Sequence, residues 1–401
     1  MSGWLDLDEA QRQLLSLAPV MGSEDAAIEA ALGRVLTADI YARRTQPPAD
    51  LSAMDGYAIC GEGPWKVIGE SRCGAPFVGT LKTGTSVRIS TGAHMPVGAE
   101  SVLLQENAVR GEDSVSSTET PPIGRHIRRR GFDFSDGDPL INAGAAIGPA
   151  HIALALSGGH TKVPVRRLPK VTVIDSGDEL ASDPENCGPD QIPASNGAMI
   201  AAMAAPLVGK AKRIGPVGDN MAALASALVH ADDCDILITS GGASVGDHDL
   251  VQDALREWGA DIAFWKVAMK PGKPLMVATR QSGDRRQLVL GLPGNPVSSF
   301  VTAFLFALPA IRQCLGFANP LPLAQTRIAG QTFPAVGQRR EFVRGISDGT
   351  SVITANSQDS SALASLASAN CLIDRAPGAP ETAKAEPVTV YSLQNGGFAG
   401  A

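Results

Sequence analysis

The strongest constraint on this chain is an alternation of apolar runs and helical patterns between residues 170 and 318. Val171-Thr-Val-Ile-Asp, Asp235-Ile-Leu-Ile-Thr, Leu275-Met-Val-Ala and Gln287-Leu-Val-Leu-Gly read as strands, with Lys212-Arg-Ile-Gly-Pro-Val as a further extended piece. Gly197 to Leu207, Met221 to His230, Leu250 to Trp258 and Val297 to Leu308 read as helices. Strands covered on both faces show such near-continuous apolar character. The pattern therefore predicts a parallel sheet clothed by helices, a three-layer α/β/α domain.

The flanking segments differ. Leu5, Leu7, Ala10, Leu14, Leu15 and Leu17 recur at helical spacing until Pro19. Ser23 to Leu36, rich in alanine, reads as a second helix, and Ala150-His-Ile-Ala-Leu-Ala-Leu as a third. Between Pro47 and Asp136 lie short runs bounded by Gly and Pro, such as Trp65-Lys-Val-Ile, Ser86-Val-Arg-Ile and Ser101-Val-Leu-Leu-Gln, which read as strands. Beyond Leu323, Glu341-Phe-Val-Arg-Gly-Ile, Ser351-Val-Ile-Thr and Pro387-Val-Thr-Val-Tyr predict a small β sandwich or barrel. The expected organisation is a discontinuous helical domain (1–46 and 137–168), an inserted β-rich domain (47–136), the α/β domain (169–318) and a C-terminal β domain (319–401).

Several function classes drop out. With 34 Lys and Arg against 41 Asp and Glu, the chain is acidic, which argues against holding nucleic acid by counterion release. The most apolar segment, Phe300 to Ile311, falls short of the roughly 20 residues a membrane span needs. Met1-Ser-Gly-Trp-Leu-Asp-Leu-Asp-Glu has no basic region leading into an apolar one, so a signal peptide is not expected. The six cysteines are scattered without a Cys-x-x-Cys, and no two of the histidines stand at metal-ligand spacing. Reduced thiols and a cytoplasmic location are the expectation.

Ligands of a parallel sheet bind beyond the carboxyl ends of its strands. Four polar loops are candidates: Asp175-Ser-Gly-Asp-Glu-Leu, Ser240-Gly-Gly-Ala-Ser-Val-Gly-Asp-His-Asp, Lys270-Pro-Gly-Lys-Pro and Gly291-Leu-Pro-Gly-Asn-Pro-Val-Ser-Ser. The third precedes a strand, so topology alone would put it at the opposite end. The Ser240 loop has P-loop glycine spacing, but Asp247-His248 stands where Lys and a hydroxyl residue are needed. It also matches a nucleophile elbow at Ser244, yet no histidine follows His248 to complete that triad in order. What remains is a glycine-rich turn whose amides can cradle an anion, or simply a tight βα turn capped by Asp247 or Asp249. In the Gly291 loop Asn295 is placed to cap a helix that Pro296 starts, Pro293 stiffens the approach, and Ser298 and Ser299 offer hydroxyls. Lys270 and Lys273, braced by Pro271 and Pro274, suit an oxyanion. Asp178, Glu179, Asp219, Asp247 and Asp249 would add a magnesium-bridged phosphate if they converge on those lysines. The run Arg125 to Arg130 reads as a solvated basic face, and Asp55-Gly56 as a turn.

Together, seven segments resemble one family: the molybdopterin molybdenumtransferases, which include MoeA and the gephyrin E domain. They are Ser52-Ala-Met-Asp-Gly-Tyr-Ala, Thr91-Gly-Ala-x-x-Pro-x-Gly-Ala, Ile127-Arg-Arg-Arg-Gly-x-Asp133, Ser176-Gly-Asp-Glu-Leu, Ser240-Gly-Gly-x-Ser-Val-Gly, Lys270-Pro-Gly-Lys-Pro and Gly291-Leu-Pro-Gly-Asn-Pro-Val-Ser. The resemblance implies an elongated four-domain protomer, a homodimer, and a cleft completed by the partner's second domain. It also implies the activity: molybdate is inserted into adenylylated molybdopterin with release of AMP, and Mg²⁺ is required.

Carried over by position, Asp55, Asp133, Glu179, Asp219, Asp249, Lys266 and Lys270 match the catalytic set. Of these, Glu179, Asp219 and Asp249 would support Mg²⁺ and the adenylyl phosphates. Thr91, Ser240, Gly241, Gly242, Ser244, Lys273, Pro293, Asn295, Pro296, Ser298, Arg339 and Ser360 match substrate-binding positions. Lys273 and Ser298 among them, with Lys270 of the first set, match positions that line a molybdate site. Arg340, Arg344 and Ser361 stand near enough in sequence to compete with Arg339 and Ser360. A molybdopterin adenylyltransferase and recipient molybdoenzymes are the implied transient partners. Ser176 replaces the family's frequent Thr and keeps the hydroxyl; the stretch Ala181-Ser-Asp-Pro-Glu-Asn-Cys and the turn Pro48-Ala-Asp-Leu-Ser depart from it. Two other readings compete: a hydrolase of a different adenylylated compound, and a molybdopterin carrier or scaffold without turnover.

Overall fold

The computed structural model describes residues 4–208, 210–241 and 250–394. Its central sheet comprises β1 (Val171–Ser176), β2 (Lys212–Val217), β3 (Ile236–Ser240), β4 (Ala260–Trp265), β5 (Met276–Ser282) and β6 (Arg285–Leu292), in the order β2-β1-β3-β6-β5-β4. Alternate residues enter opposite layers. Val171, Val173, Ile236, Ile238, Leu288 and Leu290 share one core with α1 (Leu7–Leu17), α2 (Asn196–Val208), and residues Val297 and Val301. Ile174, Leu237 and Val289 face the other core with α3 (Met221–His230) and α4 (Leu250–Glu257). The three-layer α/β/α arrangement follows from this double burial.

The sheet is mixed rather than parallel. β1, β2, β3 and β6 run parallel, but β5 is antiparallel to both β6 and β4. Only Gly283-Asp284 separates β5 from β6, and so short a link can join antiparallel strands only. This hairpin brings the start of β5 beside the end of β6, with Met276 opposite Gly291.

The expected helix from Ser23 to Leu36 is also corrected. Ser23–Ala27 is a strand paired antiparallel with Lys162–Arg166, followed by a short 3-10 turn, Ile28–Ala30. Ile28, Leu36, Val163 and Val165 bury one another in that arrangement, and this packing outweighs the helix propensity of alanine. Helix α1, capped by Asp6 accepting from the Glu9 amide (2.8 Å), leaves its sequence neighbours and docks on the central core. There Gln11 Nε2 donates to the Leu305 carbonyl (2.8 Å).

An inserted six-stranded sheet places Gly56–Cys60 between Ser101–Leu104 and Thr85–Ile89. In the C-terminal region Ala324–Ala329, Arg340–Ser347, Ser351–Thr354, Cys371–Arg375 and Pro387–Ser392 close into a small barrel, because Arg340–Ser347 pairs with strands on both of its sides. Phe333, Val352, Ile373, Val388 and Val390 fill it. The helical run Pro296–Cys314 is 19 residues long and apolar enough to cross a membrane, yet it is mostly buried inside the protein, as a core helix would be.

Candidate active site

The carboxyl ends of β1, β3 and β6 meet backbone to backbone. Gly241 has φ +92°, and a Cβ there would stand 2.2 Å from the Ser176 carbonyl oxygen; one on Gly294 would lie 3.6 Å from Gly241 Cα. Beneath them lies a polar floor. Asp175, Ser176, Thr239, Ser240 and Ser299 are all buried. Asp175 Oδ1, the hydroxyls of those four residues, and Asn196 Oδ1 lack hydrogen-bond partners. Buried polar atoms are ordinarily paired in more than about nine cases in ten, so orphans gathered at one end of a sheet mark a place for a ligand.

At the rim, the Asp219 amide donates to Asp178 Oδ1 (2.9 Å). Burial raises the Asp219 carboxyl pKa, and the negative charges of Asp178 and Glu179 raise it further. That mutual repulsion suits a divalent cation. Among the described residues, however, no three acidic, His or Cys side chains are grouped closely enough to hold one alone, so further oxygen donors would have to complete its shell. Gly242, Ser244 and Asp249 lie outside the described residues.

The lysine loop lies at this same end, contrary to the expectation from a parallel topology, because the β5–β6 hairpin folds it back. Gly272 has φ +101°, and a Cβ on it would meet Thr302 Cγ2 at 2.5 Å, so the loop rests directly on α5 (Pro296–Thr302). Met269–Lys270 adds a strand beside Arg340-Glu341 of the barrel, and Lys270 Nζ stands 3.2 Å from Glu341 Oε1. Lys273 Nζ sits 4.4 Å from the centroid of the Trp4 ring, a cation–π contact. Lys266 adopts φ +87°, a conformation that costs a non-glycine residue about 1–3 kcal/mol and recurs at functional sites.

Asn295 precedes α5, but its side chain makes no cap. It reaches across to the barrel, where Nδ2 donates to Ser360 Oγ (3.1 Å), while the Val297 amide donates to the Ser360 carbonyl (3.2 Å). Pro296 opens the helix, Pro293 is buried beside it, and Ser298 is buried in its first turn. The competing arginines separate by what holds them. Arg340 is clamped by Asp374 and Asp8, and buried Arg344 donates to the carbonyls of Ser357 and Asp359. Arg339 makes no hydrogen bond or ion pair with the described residues. The Ser361 amide and hydroxyl both go to Asp359 Oδ1, which leaves Ser360 as the serine that touches the α/β domain.

Asp55 and Thr91 meet in the inserted β-rich region, and Asp133 lies at its exit. The Thr91 amide donates to Asp55 Oδ1 (2.7 Å), and the Asp133 amide to the Gln46 carbonyl (3.1 Å). Pairing of Ile127–Arg128 with Leu51–Ser52 brings these motifs together. Their domain has its own cores, which contain no residue of the central sheet. Part of the basic run is structural: Arg129 pairs with Asp50 (2.6 Å), and Arg130 Nε donates to the Pro48 carbonyl (3.2 Å).

Asn196 and Thr239 are not among the candidates read from sequence, and Asp175, although it opens a candidate loop, carries no assigned role there. The available signal was a carboxylate or hydroxyl ending an otherwise apolar, doubly buried strand, as in Val-Thr-Val-Ile-Asp and Ile-Leu-Ile-Thr-Ser.

Three family models match in succession: the MoeA N-terminal region (domains I and II) over residues 5–159, a probable molybdopterin binding domain over 172–313, and the MoeA C-terminal region (domain IV) over 326–393. Molybdopterin molybdenumtransferase 2 of Mycobacterium tuberculosis is 34% identical over 382 residues, covering 90% of this chain and 93% of its own length. The molybdopterin molybdenumtransferase of Bacillus subtilis is 32% identical, covering 92% and 89%. A crystal structure of the molybdopterin biosynthesis MoeA protein from Pyrococcus horikoshii superposes with a TM-score of 0.80 at 27% identity, over 96% of this chain and 98% of that one. On these grounds the chain belongs to the MoeA family of molybdopterin molybdenumtransferases, transferases of molybdenum cofactor biosynthesis.

Proposed function

We propose that this protein inserts molybdate into adenylylated molybdopterin and releases AMP. The observation that carries the reading is the meeting, at one end of the central sheet, of the Lys270–Lys273 loop, the start of α5 with Ser298, and the Glu179–Asp219 acidic rim. Molybdate is a tetrahedral dianion. Lys270, Lys273 and the Ser298 hydroxyl would hold it beside Pro293 and Pro296, with Arg339 and Ser360 reaching in from the barrel. The glycine-rich sequence that begins at Ser240 has a composition suited to cradling the phosphates. Glu179 and Asp219, with Asp249, would hold Mg²⁺, which when bound supplies charge neutralisation at the phosphoanhydride. This chain's own contribution is positioning and electrostatics: the lysines fix the incoming oxyanion while the adenylyl group leaves.

Asp55, Thr91 and Asp133 sit on a separate core, which favours a homodimer whose second copy presents them across the cleft. Transient docking of a molybdopterin adenylyltransferase and of recipient molybdoenzymes, in the cytoplasm, completes the reading. The test is AMP release from adenylylated molybdopterin and Mg²⁺, with and without molybdate. Molybdate-dependent release with molybdenum kept on the pterin supports the transferase. Molybdate-independent release would favour a hydrolase, and tight binding without AMP a carrier.

A further inference from the structure

The transfer chemistry leaves Asp175 unused, although it is the most deeply placed carboxyl of the cleft. It ends β1 at 4% exposure. Its Oδ2 accepts from the Gly197 amide (3.1 Å) at the start of α2, while Oδ1 has no partner. Space is reserved for it, since a Cβ on Gly197 would stand 2.1 Å from Oδ2. Ser240, its register partner on β3, and Asn196 each carry a buried, unpartnered oxygen, and all three residues line the cleft. Leu180, Ile192 and Pro193 form apolar walls above them.

An unsatisfied buried carboxyl oxygen is costly until a ligand supplies a donor. Phosphate and molybdate oxygens are acceptors and would be repelled here. The complementary group is a flat, neutral ring with adjacent N–H donors, the edge that a 2-amino-4-oxopyrimidine presents through N3–H and its amino group. We propose that Asp175 is a specificity-determining residue that hydrogen-bonds this edge of the pterin and points its dithiolene and phosphate end toward the lysines and the acidic rim. The inference rests on the reading of the substrate as an adenylylated molybdopterin. Burial raises the Asp175 carboxyl pKa, opposed by the Gly197 amide and the charge of Arg213, as befits a carboxyl still lacking a partner.

The test compares pterin with lumazine, which carries an oxo group in place of the 2-amino group, by direct fluorescence titration of the full chain. The wild type should bind pterin at least about tenfold more tightly than lumazine. Asp175→Asn, whose amide can donate to the lumazine oxo group, should lose that preference. Asp175→Ser should weaken pterin to a similar degree, and serves if the Asn variant fails to fold. In turnover, KM for adenylylated molybdopterin should rise about tenfold with kcat nearly unchanged. An unaltered pterin preference in both variants, a wild type that does not distinguish the two rings, or loss of Mg²⁺ binding with pterin binding intact would each overturn the assignment. Because the titration needs no turnover, failure of the transferase reading would show separately, as absent AMP release in the wild type.

Discussion

Two buried aspartates on adjacent strands of the central sheet face opposite fates. Asp235, at the amino end of β3, is 2% exposed and fully engaged: Arg167 donates to both its oxygens (2.9 and 3.0 Å), and the Lys170 amide adds a third bond (2.7 Å). Asp175, at the carboxyl end of β1, is 4% exposed and has one bond and one orphaned oxygen. Burial is the same, and so is the residue type. The difference lies in whether the fold has finished satisfying the group, and that separates a residue kept for stability from one kept for a ligand.

The comparison is broken first at Asp235. Asp235→Ala strands the Arg167 guanidinium and removes the tie between the strand's start and the segment entering the domain. It should cost about 3 kcal/mol of stability by urea unfolding. A loss below about 1 kcal/mol would mean that full satisfaction at that end contributes little, and the contrast would fall. At the other end, Lys270→Ala should leave the unfolding midpoint almost unchanged, since its ion pair with Glu341 is largely solvated. Molybdate-dependent AMP release should nonetheless drop about a hundredfold.

Arg344→Met sharpens the comparison on the barrel side. Arg344 is 1% exposed and donates from Nη2 to the carbonyls of Ser357 and Asp359, which shape the loop that presents Ser360 to Asn295. Removing those bonds should cost about 1–2 kcal/mol and raise the molybdate concentration needed for half-maximal turnover. Turnover unchanged at every molybdate concentration would detach Ser360 from the site.

What was legible from sequence follows the same physics. The strands of the α/β domain stood out because burial on both faces leaves little freedom in composition. Residues 23–27 were misread because their strand is set by a partner more than 130 positions away, which alanine-rich local preference does not report. Topology alone left the end of the sheet that holds the lysine loop open, and the Gly283-Asp284 hairpin that reverses β5 is what brings it to the ligand end. Lys270 and Asn295 could be named from motif likeness, whereas Arg339 and Ser360 had near alternatives in Arg340, Arg344 and Ser361, whose hydrogen-bond partners only the fold supplies. Asp175 opens a candidate loop but has no legible role, because a single acid at a strand end looks the same in sequence whether it is satisfied, as Asp235 is, or left open.

The finest test of that last distinction is the pH dependence of Asp175→Asn stability. Burial holds the folded-state pKa of Asp175 above its ordinary value. Between the unfolded and folded values the native protein therefore binds more protons than the unfolded chain, and stability falls as pH rises through that window. Above the folded value the loss is complete. Asparagine does not titrate, so without ligand the variant should melt slightly higher than the wild type at pH 7.5, by about 2 °C or less. The gap should close as pH falls below the folded value, where the protonated acid and the amide become equivalent in charge. A substitution that weakens pterin binding while stabilising the empty protein marks a residue whose native strain serves the ligand. A variant that is destabilised at every pH would put Asp175 in the same class as Asp235, satisfied by the fold itself.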